Sequence, residues 1–293
     1  MKTEDEVLSE ISTNNNSGCP PKVLITGASS GIGQATARLF TRGGYEVYGT
    51  SRNIKRESRK GKNGERYRSF PMDVTSDESV KAAAEKIGYV DVLILAAGFG
   101  IAGTAEEVPI ELAKKQMEVN YFGVLRVVSA FLPAMRERRS GKIIIIGSVG
   151  GRVAIPMQSH YSSSKYALEA YSDALRLELK PFGIDVTIVE PGDTKTGFTA
   201  KREAFIPDGS PYEETARHAI GVMEHDEQSG AAPEDVAKVI LKVAKSDNPR
   251  ARVAVGLKYK ALCILIKFLP DRIREMVMRK LYLGDGSCKK QCC

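Results

Sequence analysis

Two kinds of stretch alternate along the chain. Short, continuous apolar runs appear at "KVLITG" (22–27), "YEVYGTS" (45–51), "VDVLILAAG" (90–98), "GKIIIIGS" (141–148), "GIDVTIVEPG" (183–192) and "ARVAVG" (251–256), with a more polar one at "RYRSFPMDVT" (66–75). Each reads as a strand. Between them, "GIGQATARLFTRGG" (31–44), "SDESVKAAAEKIG" (76–88), roughly 108–138, 160–179 and "PEDVAKVILKVAK" carry apolar residues at helical spacing. The second of these opens with a capping signal. The strands show little polar–apolar alternation, so both of their faces are buried, as in a parallel sheet covered by helices. Strand–helix alternation with right-handed crossovers gives an α/β fold with a doubly wound parallel sheet. The pattern predicts a polar, disordered tail over 1–20, one α/β domain over 21–256, and a helical extension and tail over 257–293.

Composition narrows this little. The 293 residues are 42% hydrophobic, enough for a sizeable core, and the net charge of +7 suits anionic ligands without arguing for nucleic acid. The N-terminal stretch is polar and acidic, which is not the pattern of a signal peptide. No run approaches the length of a membrane span. Five cysteines, Cys19, Cys263, Cys288, Cys292 and Cys293, lack the paired spacing of a zinc site and fit a reducing compartment. The expectation is a cytoplasmic protein with no metal.

The first strand runs into "TGASSGIG" (26–33). Gly27, Gly31 and Gly33 allow a tight turn and close approach of a pyrophosphate, and the following helix offers free N–H groups and the positive end of its dipole. Strand before and helix after supply the context that a glycine triplet alone lacks. Ser29, Ser30 and Ile32 complete the cradle. The end of the second strand selects the cofactor. An NAD site places Asp or Glu there for the ribose 2′-hydroxyl. Here no acid occurs from Val47 through Arg56, and Ser51-Arg52 stand in its place. A guanidinium grips a 2′-phosphate, so NADP is expected. Most of the basic stretch that follows, "NIKRESRKGKNGER" with Lys55 and Arg56, reads as a solvated loop.

"HYSSSKYALEAYSDALRLEL" (160–179) puts Tyr161 and Lys165 four residues apart, one helical turn on the same face. A phenol titrates near 10, and ionising it at neutral pH takes a shift of roughly 3 units. A neighbouring ammonium supplies part of that. Tyr166 and Tyr171 have no lysine four residues on and are expected to be packing residues. His160 is expected at a pocket wall, and His218 and His225 at the surface.

"TGASSGIG", "VNYFG", "IGS", "YSSSK" and "EPGDTKT" together resemble, in order and spacing, the motifs of the short-chain dehydrogenases/reductases, over roughly residues 22–256. The resemblance implies a Rossmann-type fold and four catalytic residues. Ser148 would hydrogen-bond the substrate oxygen, and Tyr161 would act as acid/base. Lys165 would bind the nicotinamide ribose and lower the tyrosine pKa, and Asn120 would hold a water in the proton relay. It implies cofactor contacts from Asp73 and Val74 at the adenine, from Ala97 and Gly98, and from Pro191, Gly192, Thr194 and Thr196 at the carboxamide. It also implies a homodimer formed through the helices at 108–138 and 160–180. One departure is Leu95, which stands in Leu95-Ala96-Ala97-Gly98 where the family carries an asparagine that ties the central strands together. Residues 193–232, with Phe198, Phe205, Ile206, Tyr212 and Met223, correspond to the family's mobile segment over the substrate. The extension at 257–282 resembles the hydroxysteroid and retinol dehydrogenase branch; it would cap an apolar pocket, contact a membrane peripherally, or simply pack on the domain. The terminal "CKKQCC" resembles lipidated tails, although a disordered tail is expected. The expected function is therefore NADP(H)-dependent interconversion of a carbonyl and a secondary alcohol on a lipophilic substrate, with a steroid as one candidate. The alternatives are an acyl-chain ketone reductase, of 3-oxoacyl or acyl-dihydroxyacetone-phosphate type, and a non-catalytic cofactor-binding regulator.

Overall fold

A computed structural model describes residues 19–53, 58–60 and 66–284. Its framework is one eight-stranded sheet in the order β10-β8-β7-β5-β1-β2-β4-β3. The central strands are β1 (Lys22–Thr26), β2 (Glu46–Ser51), β4 (Arg66–Pro71), β5 (Val92–Leu95), β7 (Gly141–Ile146) and β8 (Ile184–Glu190), with β10 (Arg252–Ala254) at one edge. These seven run parallel. At the other edge β3 (Ser58–Lys60) pairs antiparallel with β4.

Successive residues of one strand feed two cores, which is why the strand sequences hardly alternate. Leu24, Leu93, Leu95, Ile143 and Ile145 face one layer, where they meet Val127, Phe131, Leu168 and Leu175. That layer is α2 (Asp77–Ile87), α4 (Gly123–Arg138) and α5 (Ser159–Leu179). Val23, Ile25, Ile94 and Ile144 face the other, where they meet Phe40 of α1 (Gly31–Arg42) and Val236, Ile240 and Leu241 of α7 (Pro233–Lys245). From β1 the chain builds outward through β2 to β4, then returns to lay β5 on the opposite side of β1. That reversal opens a crevice beyond the C-terminal ends of β1 and β5, the place where such sheets bind ligands.

Three readings of the sequence need correction. The third strand stops at Pro71, short of residue 75. Within the basic stretch Ser58–Lys60 forms β3, and Lys55 and Arg56 lie outside the described residues. The helix expected over 108–138 is two, α3 (Ile110–Met117) and α4, joined by a π-helical turn at Glu118–Phe122. A second small sheet pairs β6 (Ile101–Gly103) in parallel with β9 (Glu203–Phe205), so the start of the segment over the crevice is held in a strand pair. Three further helices follow β8: α6 (Glu213–Gln228), then, after β10, α8 (Leu257–Ile266) and α9 (Asp271–Tyr282). Cys288, Cys292 and Cys293 and residues 1–18 of the tail lie outside the described residues.

The extension packs on the domain. Cys263 and Ile266 of α8 join Val149, Val153 and Ala254, and Tyr282 and Leu283 meet Ala219, Ile220 and Met223 of α6. Its outer face leaves Leu257, Ile264, Leu265, Phe268, Met276 and Leu281 exposed.

Candidate active site

The cradle forms where the glycines demand it. Gly27 (φ +70°) and Gly31 (φ +54°) occupy the left-handed region. A Cβ on Gly27 would stand 2.9 Å from the backbone of Ala96 and Ala97, and one on Gly33 would collide with the carbonyl of Gly27. So β1, the turn and the end of β5 are in backbone contact, with room for nothing larger. Ser30 caps α1 without a side-chain hydrogen bond, and the first turn of α1 contains no acid. Its free N–H groups and positive dipole end therefore face the crevice unopposed. These residues fit a dinucleotide pyrophosphate. Ser51 and exposed Arg52 end β2 on the same rim. Asp73 follows β4; its Oδ1 accepts from Thr75 N and Oγ1 at 3.0 and 2.8 Å, and Val74 is buried beside Gly123.

At Leu95, where the family carries an asparagine, β1 and β5 are still tied together by a side chain. Leu95 is buried, and Thr26 Oγ1 accepts from both Ala96 N and Ala97 N at 3.0 Å. A threonine on β1 thus ties β1 to β5 from the opposite side. Gly98 lies against Asn120 Oδ1, 3.2 Å from where its Cβ would be.

Asn120 sits in the π turn, where the change of helical pitch swings it inward until it is fully buried. Its Oδ1 accepts from Phe99 N at 3.0 Å, and its Nδ2 donates to Phe99 O at 3.0 Å and to Ser164 Oγ at 3.1 Å. Gln116, one turn earlier, holds the same strip through Phe99 O and Ile101 N. The asparagine side chain is thus a brace between the Phe99 turn and α5. Ser164 was legible as part of "YSSSK" and Gln116 by its four-residue spacing from Asn120, yet sequence reasoning passed over both.

Ser148 follows β7, and Tyr161 and Lys165 project from the first turns of α5. Ser148 Oγ accepts from Gly150 N at 3.0 Å, which leaves its own proton free to point outward. Its hydroxyl lies close enough to Tyr161 to favour the ionised phenol. Lys165 lies 5.8 Å from the centre of the Tyr161 ring and donates through Nζ to Ile146 O at 2.9 Å. Burial pushes the Tyr161 phenol above its usual 10, with Ser148 acting against the rise. Burial lowers Lys165 to about 8, with Glu169 opposing. The lowered tyrosine expected from the Lys165 spacing is thus not what these residues produce by themselves: desolvation outweighs the neighbouring ammonium.

Pro191 and Gly192 end β8. The Tyr259 ring of α8 occupies the space of a Gly192 side chain, and its hydroxyl bonds Asp193 N and the Asp193 carboxylate. The extension thus reaches the crevice itself. Thr194 Oγ1 donates to Gly192 O at 2.9 Å, and Thr196 lies over Gly31. Phe198 meets the Tyr161 ring edge-on at 5.8 Å. His160 lines a groove with Ile110 and Met117 that none of the candidate catalytic residues enters, and His218 and His225 are exposed. Tyr171 packs edge-on against Tyr121, whereas Tyr166 is 42% exposed and is no packing residue.

The chain matches the family described as short chain dehydrogenase over residues 21–206. It is 40% identical over 270 residues to a 3-ketodihydrosphingosine reductase from Bacteroides thetaiotaomicron, covering 90% of this chain and 98% of that protein. It is 36% identical to the dehydrogenase/reductase SDR family member 7B of Xenopus laevis, covering 91% of this chain and 86% of that one. A solved short-chain dehydrogenase from Streptomyces avermitilis superposes with a TM-score of 0.75 at 30% identity, covering 90% of this chain and 97% of that one. With the sheet order, the glycine cradle and the Ser148–Tyr161–Lys165 group already in place, these likenesses make the chain a member of the short-chain dehydrogenase/reductase family, an oxidoreductase built to use a nicotinamide cofactor.

Proposed function

We propose that the chain is an NADP(H)-dependent reductase that interconverts a ketone and a secondary alcohol on a lipophilic, chain-bearing substrate. The observation that carries this reading is the Ser148–Tyr161–Lys165 group standing beside a fitted nucleotide cradle. The nicotinamide, when bound, supplies or accepts the hydride. Tyr161, its phenol protonated at neutral pH, gives its proton to the carbonyl oxygen as negative charge develops there. Ser148 donates to the same oxygen. Lys165, anchored by one N–H on Ile146 O, offers its remaining N–H groups to the ribose, and Asn120 fixes α5 through Ser164. The relative named as a 3-ketodihydrosphingosine reductase favours a chain-bearing ketone over a steroid. A panel of long-chain ketones, steroids and retinal with NADPH tests the reading; oxidation of NADPH by the chain-bearing ketones is expected, and turnover of none of the panel would sink it.

The NADP preference rests on Ser51-Arg52. A charged hydrogen bond contributes about 1.5–3 kcal/mol, so Arg52→Ala should weaken NADPH binding by roughly 10- to 100-fold and leave NADH binding nearly unchanged. Dissociation constants of both cofactors for wild type and variant decide it. Equal wild-type affinity for the two cofactors overturns the preference, and an undiminished preference in the variant moves the phosphate contact to other residues.

Two proposals concern assembly. The exposed apolar row on α8 and α9 is interleaved with Lys258, Lys260, Lys267, Arg272, Arg279 and Lys280, a pattern suited to an anionic lipid surface. Exposed Ile110 and Phe122 line the helix face through which a homodimer would form. Flotation with anionic but not neutral vesicles, and a dimer by sedimentation at micromolar concentration, are the expected results; an unbound monomer refutes both. No helix among the described residues is long and apolar enough to cross a membrane.

A further inference from the structure

Arg202 precedes β9, in the segment over the crevice. Its side chain is only 1% exposed. Nη2 donates to the Glu227 carboxylate of α6, whose other oxygen accepts from Thr199 Oγ1. Nε and Nη1 are buried and have no hydrogen-bond partner among the described residues. A guanidinium has five N–H donors and is always charged, so three N–H groups stand desolvated and unmet. Native structures seldom leave such groups unmet; a ligand group or an ordered water meets them.

Its position says what arrives. Glu203 N, the next residue, donates to Gly100 O at 3.1 Å, which places Arg202 beside the Phe99–Gly100 turn that Asn120 braces. Phe198 covers Gly100, where a Cβ would stand 2.8 Å from its ring, and meets the Tyr161 ring at 5.8 Å. Arg202 and Glu227 are both close enough to act on the Tyr161 phenol, the first lowering and the second raising its pKa. Arg202 is therefore packed close to the acid/base residue, one turn beyond the Phe198 ring that touches it. Charge narrows the ligand further. Glu227 already neutralises the guanidinium, and Asp193 adds a second acid near Tyr161. A phosphate dianion would meet no net positive charge here; an uncharged acceptor would meet directed donors.

We infer that Arg202 is a substrate-binding residue whose Nε–H and Nη1–H groups hold an uncharged oxygen, hydroxyl or carbonyl, a few bonds from the reacting carbonyl. This rests on the ketone-reductase reading and adds that the substrate is oxygenated at a second position.

The test compares a long-chain 1-hydroxy-3-ketone with its 1-deoxy analogue, and with an acyl-dihydroxyacetone phosphate, in wild type and Arg202→Lys. Lysine keeps the charge and the reach to Glu227 but lacks the fork. The expected result is a KM for the hydroxyketone raised roughly 10- to 100-fold, the scale of a charge-assisted hydrogen bond, with kcat nearly unchanged. The deoxyketone and the NADPH dissociation constant should shift little. Equal losses on both ketones make Arg202 a structural clasp and overturn the inference. So does a loss confined to the phosphate ketone, or one confined to cofactor binding. If wild type reduces none of the three, the reductase reading fails separately. Titration of each ketone into the enzyme–NADP+ complex then still decides the inference: discrimination between hydroxy- and deoxyketone that vanishes in Arg202→Lys supports it, and its absence in wild type overturns it.

Discussion

Tyr161→Phe should lose at least ~100-fold in turnover, the lower range for removal of a general acid, while cofactor affinity stays within a few-fold. The substitution removes one oxygen. The ring keeps its edge contact with Phe198, and Lys165 keeps its anchor on Ile146 O. What disappears is the phenol that stands beside Ser148 at the cradle. The pH dependence follows from the same burial. Tyr161 stays protonated well past neutrality, so wild-type reduction should hold level from about pH 6 to 7. It should then fall as Lys165, lowered to about 8, loses its charge. Stability should move the other way. The folded lysine titrates below its unfolded value of 10.5, so the unfolded state binds more protons between about 8 and 10.5, and the lysine's contribution to stability rises with pH across that window. Activity that falls over a range in which Tm does not fall locates the loss in the site. A Tyr161→Phe enzyme retaining a tenth of wild-type turnover would remove Tyr161 from the chemistry.

Strand and helix order was legible because burial on both faces leaves continuous apolar runs, and a two-core sheet is what β1, β5, β7 and β8 require. The cradle was legible because Gly27 and Gly33 are forced by backbone contacts that tolerate no side chain. The π turn was not: Gln116, Asn120 and Gly123 fit an unbroken helical spacing, and the extra residue per turn shows only in where Asn120 Oδ1 finds Phe99 N. The β6–β9 pair joins segments about a hundred residues apart, three residues each, too short for any periodicity. Arg202 and Glu227 looked like two more charges in a polar stretch; only the fold buries them together. Thr26 ties β1 to β5 through a hydroxyl that accepts from Ala96 N and Ala97 N, a relation that strand sequences taken singly do not contain. The resemblance implies that Lys165 lowers the Tyr161 pKa; burial, whose extent the sequence does not display, acts in the opposite direction.

Gly33→Ala should be the most damaging substitution outside the catalytic group, although it adds a single methyl. The new Cβ would overlap the carbonyl oxygen of Gly27 and stand 2.8 Å from its carbonyl carbon. Neither atom belongs to a side chain that can turn away. Gly27 is held by its own contact with Ala96 and Ala97, so the strain must be relieved by moving α1. That helix is poorly placed to move, because Thr36, Ala37 and Phe40 are fully buried against the sheet. Overpacking of this kind costs about 1–3 kcal/mol, and at roughly 2–4 °C per kcal/mol the Tm should fall by several degrees. The larger effect is on the cofactor, whose pyrophosphate needs the turn and the α1 N-terminus in register; NADPH should bind at least ~10-fold more weakly. Saturating cofactor stabilises by RT ln(1 + [L]/Kd), about 2.7 kcal/mol at a hundredfold excess over Kd, so the NADPH-induced rise in wild-type Tm should shrink in the variant at equal concentration. Gly31→Ala is the control. Its φ of +54° strains a Cβ, but the nearest atom is the Thr196 side chain at 3.4 Å, which can shift. The two variants therefore separate backbone collision from conformational strain. If Gly33→Ala keeps its Tm and its NADPH-induced shift while Gly31→Ala loses them, the close approach of α1 to the Gly27 carbonyl does not set the cradle.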